Sequence, residues 1–321
     1  MRKGQNPAKF VGQVAKPERI TAAVLSCVPS LHGYHAEGLQ VLQACLASLR
    51  ADESLPFDLM VFDNGSCHEV QDFLLESQRQ GEIQFLVLSD RNLGKGGAWN
   101  VIFQATPGEV LAYTDSDARF SAGWLSDSLR ILETYPKVGM VTSRPFRTPP
   151  EFYSRTLAWA ESDREVSIER GTLIAWEAFR EFDMSLGQSE DQVRRRYDST
   201  EDIRLTYRGV QAMVGASHWQ FVGWTSVLRQ FLPFQMDRPM GQVRQLDQRV
   251  NEAGLLRLMT PEPRAMNLSN SLTPVPLPGA RGARPPGIAR AILRLSPVRR
   301  VLLGLYDRIF RWYFGGREDL R

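Results

Sequence analysis

The chain has only four histidines and three cysteines in 321 residues. Neither H-x-x-x-H nor C-x-x-C occurs, which argues against a zinc centre built from those ligands. Cys27, Cys45 and Cys67 are odd in number and widely spaced, the usage expected of reduced structural thiols in a cytosolic protein. Residues 1–19 are polar and lack the apolar core of a signal peptide. No run approaches the roughly 20 apolar residues of a membrane span. Together these absences predict a protein made and kept in the cytoplasm. The net charge of +3 is too small to imply nucleic acid by itself.

Apolar residues make up 43% of the chain, ample for one large α/β domain with an appendage. Ile20 to Val28, Phe57 to Phe62, Ile83 to Leu88, Val110 to Tyr113 and Val138 to Thr142 are short apolar runs that read as buried strands. Between them, Leu39, Leu42, Leu46 and Leu49 recur at helical spacing, as do Val70, Phe73 and Leu74. Alternation of this kind predicts a mostly parallel, Rossmann-like sheet with helices on both faces. Residues 143–200 read as helices and loops covering that sheet. A helix is expected over Val243 to Ala253, stopped by Gly254, and Leu255 to Met259 reads as an edge strand.

The chemistry gathers at strand ends. The run from Val110 ends on Asp115-Ser116-Asp117, whose paired carboxylates are hard oxygen ligands suited to Mg²⁺ or Mn²⁺. The same triplet would also serve as an ordinary turn. The second strand ends on Asp63-Asn64-Gly65-Ser66, and the first on Pro29-Ser30. Arg91-Asn-Leu-Gly94-Lys95-Gly-Gly-Ala-Trp-Asn100 is a Gly-rich stretch running into a helix. Its backbone N–H groups and two cations could approach an anion. It is neither a P-loop nor a dinucleotide fingerprint.

In this order the motifs resemble family 2 glycosyltransferases of the GT-A fold, firmly from about Ile20 to Trp124 and more thinly from Val214 to Gly254. The resemblance implies an α/β GT-A nucleotide-diphospho-sugar transferase fold and an inverting enzyme using a nucleotide-sugar donor. It places Pro29, Ser30, Asp63 and Asn64 around base and ribose. Arg91, Gly94 and Lys95 fall near the nucleotide or its phosphates, and Asp115, Ser116 and Asp117 at the metal–diphosphate unit, with Asp117 favoured for direct coordination. The family's base is an acidic residue opening a late helix, and its usual Glu-Asp pair is missing here. Asp247, within Arg244-Gln-Leu-Asp-Gln-Arg, is the carboxylate left in place, with Asp237 in reserve. Glu201-Asp202 mimics the motif but comes in the wrong order. The His that completes the metal site in many relatives is absent too, leaving Asn267 or Asn270 as weaker oxygen ligands. His218, beside Trp219, reads as a packed residue. Asp63 is compatible with uracil, which favours a UDP-sugar, while dTDP and GDP stay open. The acceptor hydroxyl could belong to a glycan, a lipid-linked molecule or a protein.

Two other functions stay open at this level: a nucleotidyltransferase, which also joins an α/β fold to a metal dicarboxylate, and a degenerate nucleotide-sugar-binding protein. The chain divides into a polar lead-in (1–19), the glycosyltransferase domain (20–272), a Pro/Gly linker (273–287) and a basic amphipathic helical extension (288–321). From Arg281 onward ten arginines face three acidic residues, a net +7. Such a tail is suited to peripheral contact with the inner face of an anionic membrane, or to packing on the domain or on a second copy in a homodimer. No nucleic-acid module pattern accompanies the arginines.

Overall fold

The computed structural model describes residues 4–50, 55–235 and 243–272. The expected linker and tail, and Asp237, lie outside the described residues.

The first half follows the alternation of the sequence. Strands β1 (Ile20–Ser26), β2 (Asp58–Asn64), β3 (Phe85–Ser89) and β4 (Val110–Asp115) are joined through helices α1 (Gly38–Leu49), α2 (His68–Arg79) and α3 (Gly94–Ala105). All three pairings among these strands are parallel, in the order β3-β2-β1-β4. The period-2 alternation of a strand divides the core into two layers. Ala22, Val24, Leu59, Val61 and Ala112 pack with Leu42, Leu74 and Leu125 on one face. Ala23, Leu25, Met60, Phe62 and Tyr113 pack with Trp99, Phe103 and Val250 on the other.

A short β5 (Ala118–Phe120), helix α4 (Trp124–Thr134) and strand β6 (Val138–Thr142) follow. The segment read only as covering helices and loops contains α5 (Ser154–Ser162), β7 (Val166–Gly171), α6 (Trp176–Ser185) and α7 (Glu190–Ser199). Strand β7 pairs antiparallel with β8 (Asp202–Tyr207) and extends the sheet to its far edge. Its Ser167, Glu169 and Arg170 are exposed, so it lacks the apolar run that marks a buried strand. Strand β9 (Val210–Val214), strand β10 (Gln220–Trp224), the short α8 (Thr225–Leu228), α9 (Val243–Glu252), β11 (Leu256–Met259) and β12 (Ala265–Asn267) complete the described chain.

The main sheet has ten strands among the described residues, in the order β3-β2-β1-β4-β10-β6-β11-β9-β8-β7. It is mixed: β10 runs antiparallel to both β4 and β6, whereas β11 is parallel to β6. The expected edge strand at 255–259 is corrected by this order. Strand β11 lies between β6 and β9, fully buried, and Arg257 within it has no solvent exposure. An interior arginine hides the apolar signature of a central strand.

Gly254 adopts φ +72° just past α9 and its N–H reaches Asn251 O, the left-handed helix stop read from the sequence.

Candidate active site

Strand β1 is the branch point of the fold, with β2 on one side and β4 on the other. At such a crossover the following connections diverge and leave a crevice beyond the carboxyl ends of the strands. Leu25 of β1 lies opposite Asp115 of β4, and Ser26 opposite Asp63 of β2. A cavity of about 350 Å³ opens there. Its floor carries Leu25, Cys27, Asn64, Lys95, Asp115, Ser116 and Asp117. Tyr34, His35, Asn92, Ser269 and Asn270 contribute further to its lining. The segment after β12 reaches back over residues 34–37: Asn270 Nδ2 donates to Tyr34 O (2.8 Å) and Ser271 Oγ to Glu37 Oε2 (2.9 Å).

The two carboxylates of the Asp-Ser-Asp turn are in different states. Asp115 accepts from Lys95 Nζ at 2.6 Å on one oxygen and from the Tyr113 hydroxyl at 2.6 Å on the other. The Asp117 side chain has no hydrogen bond to another residue among the described residues. Burial first, and then the Asp115 charge, push its carboxyl up to about 7, against the pull of Lys95. A buried carboxylate with an uncompensated charge is the state expected of a group that meets a cation or a protonated ligand.

Asn64 has a definite structural task. Its Oδ1 accepts from Leu93 N (2.8 Å) and its Nδ2 donates to Asn92 Oδ1 (2.9 Å), holding the Gly-rich stretch against β2. Asn92 Oδ1 also takes Gly94 N at 2.7 Å. This corrects the expected anion cradle, because two of the amides the loop was to offer are already bonded to asparagines. Asn92 and Lys95 are the residues of this stretch that reach the cavity.

Asp63 is fully buried; Oδ2 accepts from Ser66 N and Gln71 Nε2, while Oδ1 has no partner. Strand alternation turns Asp63 and Asp115 to opposite faces of the sheet. Pro29, Ser30 and Asp63 are not among the cavity-lining residues. Nor is Arg91, whose side chain is 79% exposed beside Asp90. Asn267 also falls outside the lining: its Oδ1 accepts from Ser269 N and its Nδ2 donates to Ser185 Oγ. Its amide is thus committed to the turn after β12, whereas Ser269 and Asn270 face the cavity.

Asp247 projects from α9 and is 6% exposed. Arg257 donates to its Oδ1, and His218 Nδ1 lies 2.6 Å from its Oδ2. Arg257 also donates to Ala216 O and Phe152 O, both at 2.6 Å, and burial pulls its pKa down against the opposing pull of Asp247. His218 belongs to the turn entering β10. Trp219 O, the next residue, accepts from Asp115 N at 2.8 Å, so His218 and the dicarboxylate hang from adjoining positions of one ladder. Reading the histidine as a packed neighbour of Trp219 missed this pairing. Two partners 29 residues apart in the chain leave no local pattern. Asp202, the rejected mimic, forms a buried ion pair with Arg147 and caps Leu173 and Ile174 N–H groups, a structural assignment.

No cluster of three or more His, Cys, Asp or Glu suited to a metal ion occurs among the described residues. No described helix is long and apolar enough to cross a membrane.

Residues 34–185 match the family described as glycosyl transferase family 2. The matched stretch takes in Asp63, Asn64, Lys95, Asp115 and Asp117. His218 and Asp247 lie beyond it. An uncharacterised glycosyltransferase of Nostoc sp. is 26% identical over 117 residues, 36% of this chain and 35% of the relative. Among solved structures, a mannosyltransferase from Pyrobaculum calidifontis in complex with GDP-Man and Mn²⁺ is 15% identical, with a TM-score of 0.47. The similarity covers 83% of this chain and 59% of that one. TarS 1–349 of S. aureus in complex with UDP-GlcNAc is 19% identical over 42% of this chain and 38% of that one, with a TM-score of 0.32. The chain thus spans about a third of the curated relative. The α/β sheet with helices on both faces agrees with the GT-A class expected for family 2.

Proposed function

We propose that the protein transfers a sugar from a nucleotide-diphosphate donor, a UDP-sugar in the first instance, to an acceptor hydroxyl with inversion. The observation that carries this reading is the division of labour at the end of β4. Lys95 and Tyr113 hold Asp115, while Asp117 keeps a free carboxylate at the cavity. A diphosphate entering there meets the Lys95 ammonium and, with a divalent cation, the Asp117 carboxylate.

The donor set fits Mg²⁺ or Mn²⁺ in the limited way such ions are held beside phosphates, by one or two carboxylates with the remaining positions filled by substrate and water. Asp117 would hold the ion, with Asp115 behind it. The bound cation would offset charge on the departing diphosphate. Lys95 contributes a fixed positive charge to the same end. The Asp247–His218 pair supplies the proton acceptor that a single-displacement, inverting transfer needs. Asn64 and Asn92 keep the Lys95-bearing stretch in place.

A calorimetric titration of UDP, GDP and dTDP, each with and without Mn²⁺, tests the reading. Metal-enhanced binding of one nucleotide, abolished in Asp117→Ala, is expected. Failure of all three to bind in either condition would overturn it.

A further inference from the structure

We propose that His218 is the group that removes the acceptor proton, through Nε2, and that Asp247 acts through it as a positioning residue. The inference rests on the transferase reading above and specifies its base.

Both oxygens of Asp247 are engaged, Oδ1 by Arg257 and Oδ2 by His218. With each oxygen already accepting one hydrogen bond and only 8% of its side chain exposed, the carboxylate offers an acceptor little access. His218 carries no such obstruction. Its side chain is 26% exposed against 8% for that of Asp247, and Nε2 has no hydrogen bond among the described residues. A carboxylate at Nδ1 stabilises the tautomer with the proton on Nδ1, leaving the Nε2 lone pair outward. The same carboxylate then stabilises the imidazolium that forms.

The turn bearing His218 is held at several points. Thr142 Oγ1 accepts from Ser217 N at 2.9 Å and donates to Gln220 O at 3.0 Å. Gln220 Oε1 takes Ser143 N at 2.7 Å. Arg257 ties Ala216 O on the other side. A base held this firmly sits one residue from Trp219, whose carbonyl accepts from Asp115 N.

The step balances as follows. The acceptor oxygen attacks the anomeric carbon while its proton passes to His218 Nε2. The bond from that carbon to the diphosphate oxygen breaks, and its electron pair leaves with the diphosphate. The imidazolium returns its proton to solvent.

The full-length protein with ¹⁵N-labelled histidine rings gives the first test, by long-range ¹H–¹⁵N correlation. The neutral His218 ring is expected with its proton on Nδ1, and Asp247→Asn is expected to shift the population toward the other tautomer. A neutral ring protonated on Nε2 in the unmodified protein overturns the proposal. The second test follows nucleoside diphosphate release from UDP-, GDP- and dTDP-sugars with water as acceptor. His218→Ala is expected to lower the rate roughly 10²–10⁴-fold with nucleotide affinity unchanged, and free imidazole to restore part of it. Asp247→Asn is expected to lower kcat, with Asp247→Glu recovering part. Release by His218→Ala within threefold of the parent overturns the assignment and leaves the transferase reading standing. A parent protein that binds no nucleotide and releases none removes that reading and this inference with it.

Discussion

Lys95 Nζ sits 2.6 Å from Asp115 Oδ2, with the Lys95 side chain 10% exposed and that of Asp115 26%. The ammonium also lies 5.4 Å from the Trp99 ring centre and 5.7 Å from that of Tyr113. An internal cation is therefore built into the cavity wall. Lys95→Met leaves Asp115 with Tyr113 alone and is expected to destabilise by about 2 kcal/mol, the scale of a charge-assisted hydrogen bond. Nucleotide diphosphate affinity is expected to fall at least tenfold. Thermal unfolding and calorimetry check both, and unchanged diphosphate affinity would remove Lys95 from the donor site.

Asp117 gives a pH signature. Its folded pKa of about 7 lies above the ordinary carboxylate value. The folded state therefore binds the extra proton, and this group's contribution to stability is lost as pH rises through about 7. Asp117→Asn is expected to raise the Tm of the metal-free protein at pH 8, with the gain shrinking as pH falls toward 4. Metal-dependent nucleotide binding by the parent is expected to weaken below pH 7, where Asp117 takes up its proton. A Tm difference independent of pH would show that Asp117 is not perturbed.

Gly65 has φ +84°, and a Cβ there would stand 2.9 Å from Arg91 C. Gly65→Ala combines left-handed strain with a clash against backbone, and a loss of about 1–3 kcal/mol is expected. The clash falls on the loop that Asn64 holds, so diphosphate affinity should drop as well. An alanine variant with parental Tm and affinity would show that the loop yields freely.

Arg257→Met leaves Asp247 buried with one partner fewer, and about 3–5 kcal/mol is expected to be lost. Joining it to Asp247→Asn removes the stranded charge, so the double variant should be the more stable of the two. Denaturant unfolding of single and double variants decides this; additive losses would contradict it.

The first half of the fold could be read from sequence because β1, β2 and β4 are continuous apolar runs. The motifs that the resemblance singles out sit where those runs end. The second half carries its information at long range. Strand β7 buries Val166 and Ile168 only in part, and β11 contains an arginine whose partners, Phe152, Ala216 and Asp247, come from three separate segments. In the site, Asp115, Asp117 and Lys95 all line the cavity. The motifs could not say that Asn64 and Asn92 would occupy the loop amides, or that Asn267 would be spent on Ser269. Those outcomes depend on which hydrogen-bond partners lie nearest once the chain has folded. His218 was visible as a residue and invisible as a pair.

The single hydrogen bond from Asp115 N to Trp219 O works as a ruler. His218 is one residue from one end of it, and Asp117 is two from the other. Their separation is therefore set by the register of β10 against β4, which can change only in whole-residue steps. Surrounding helices and loops can be remodelled while this span stays constant. Inserting one residue between His218 and Trp219 would change it at a stroke.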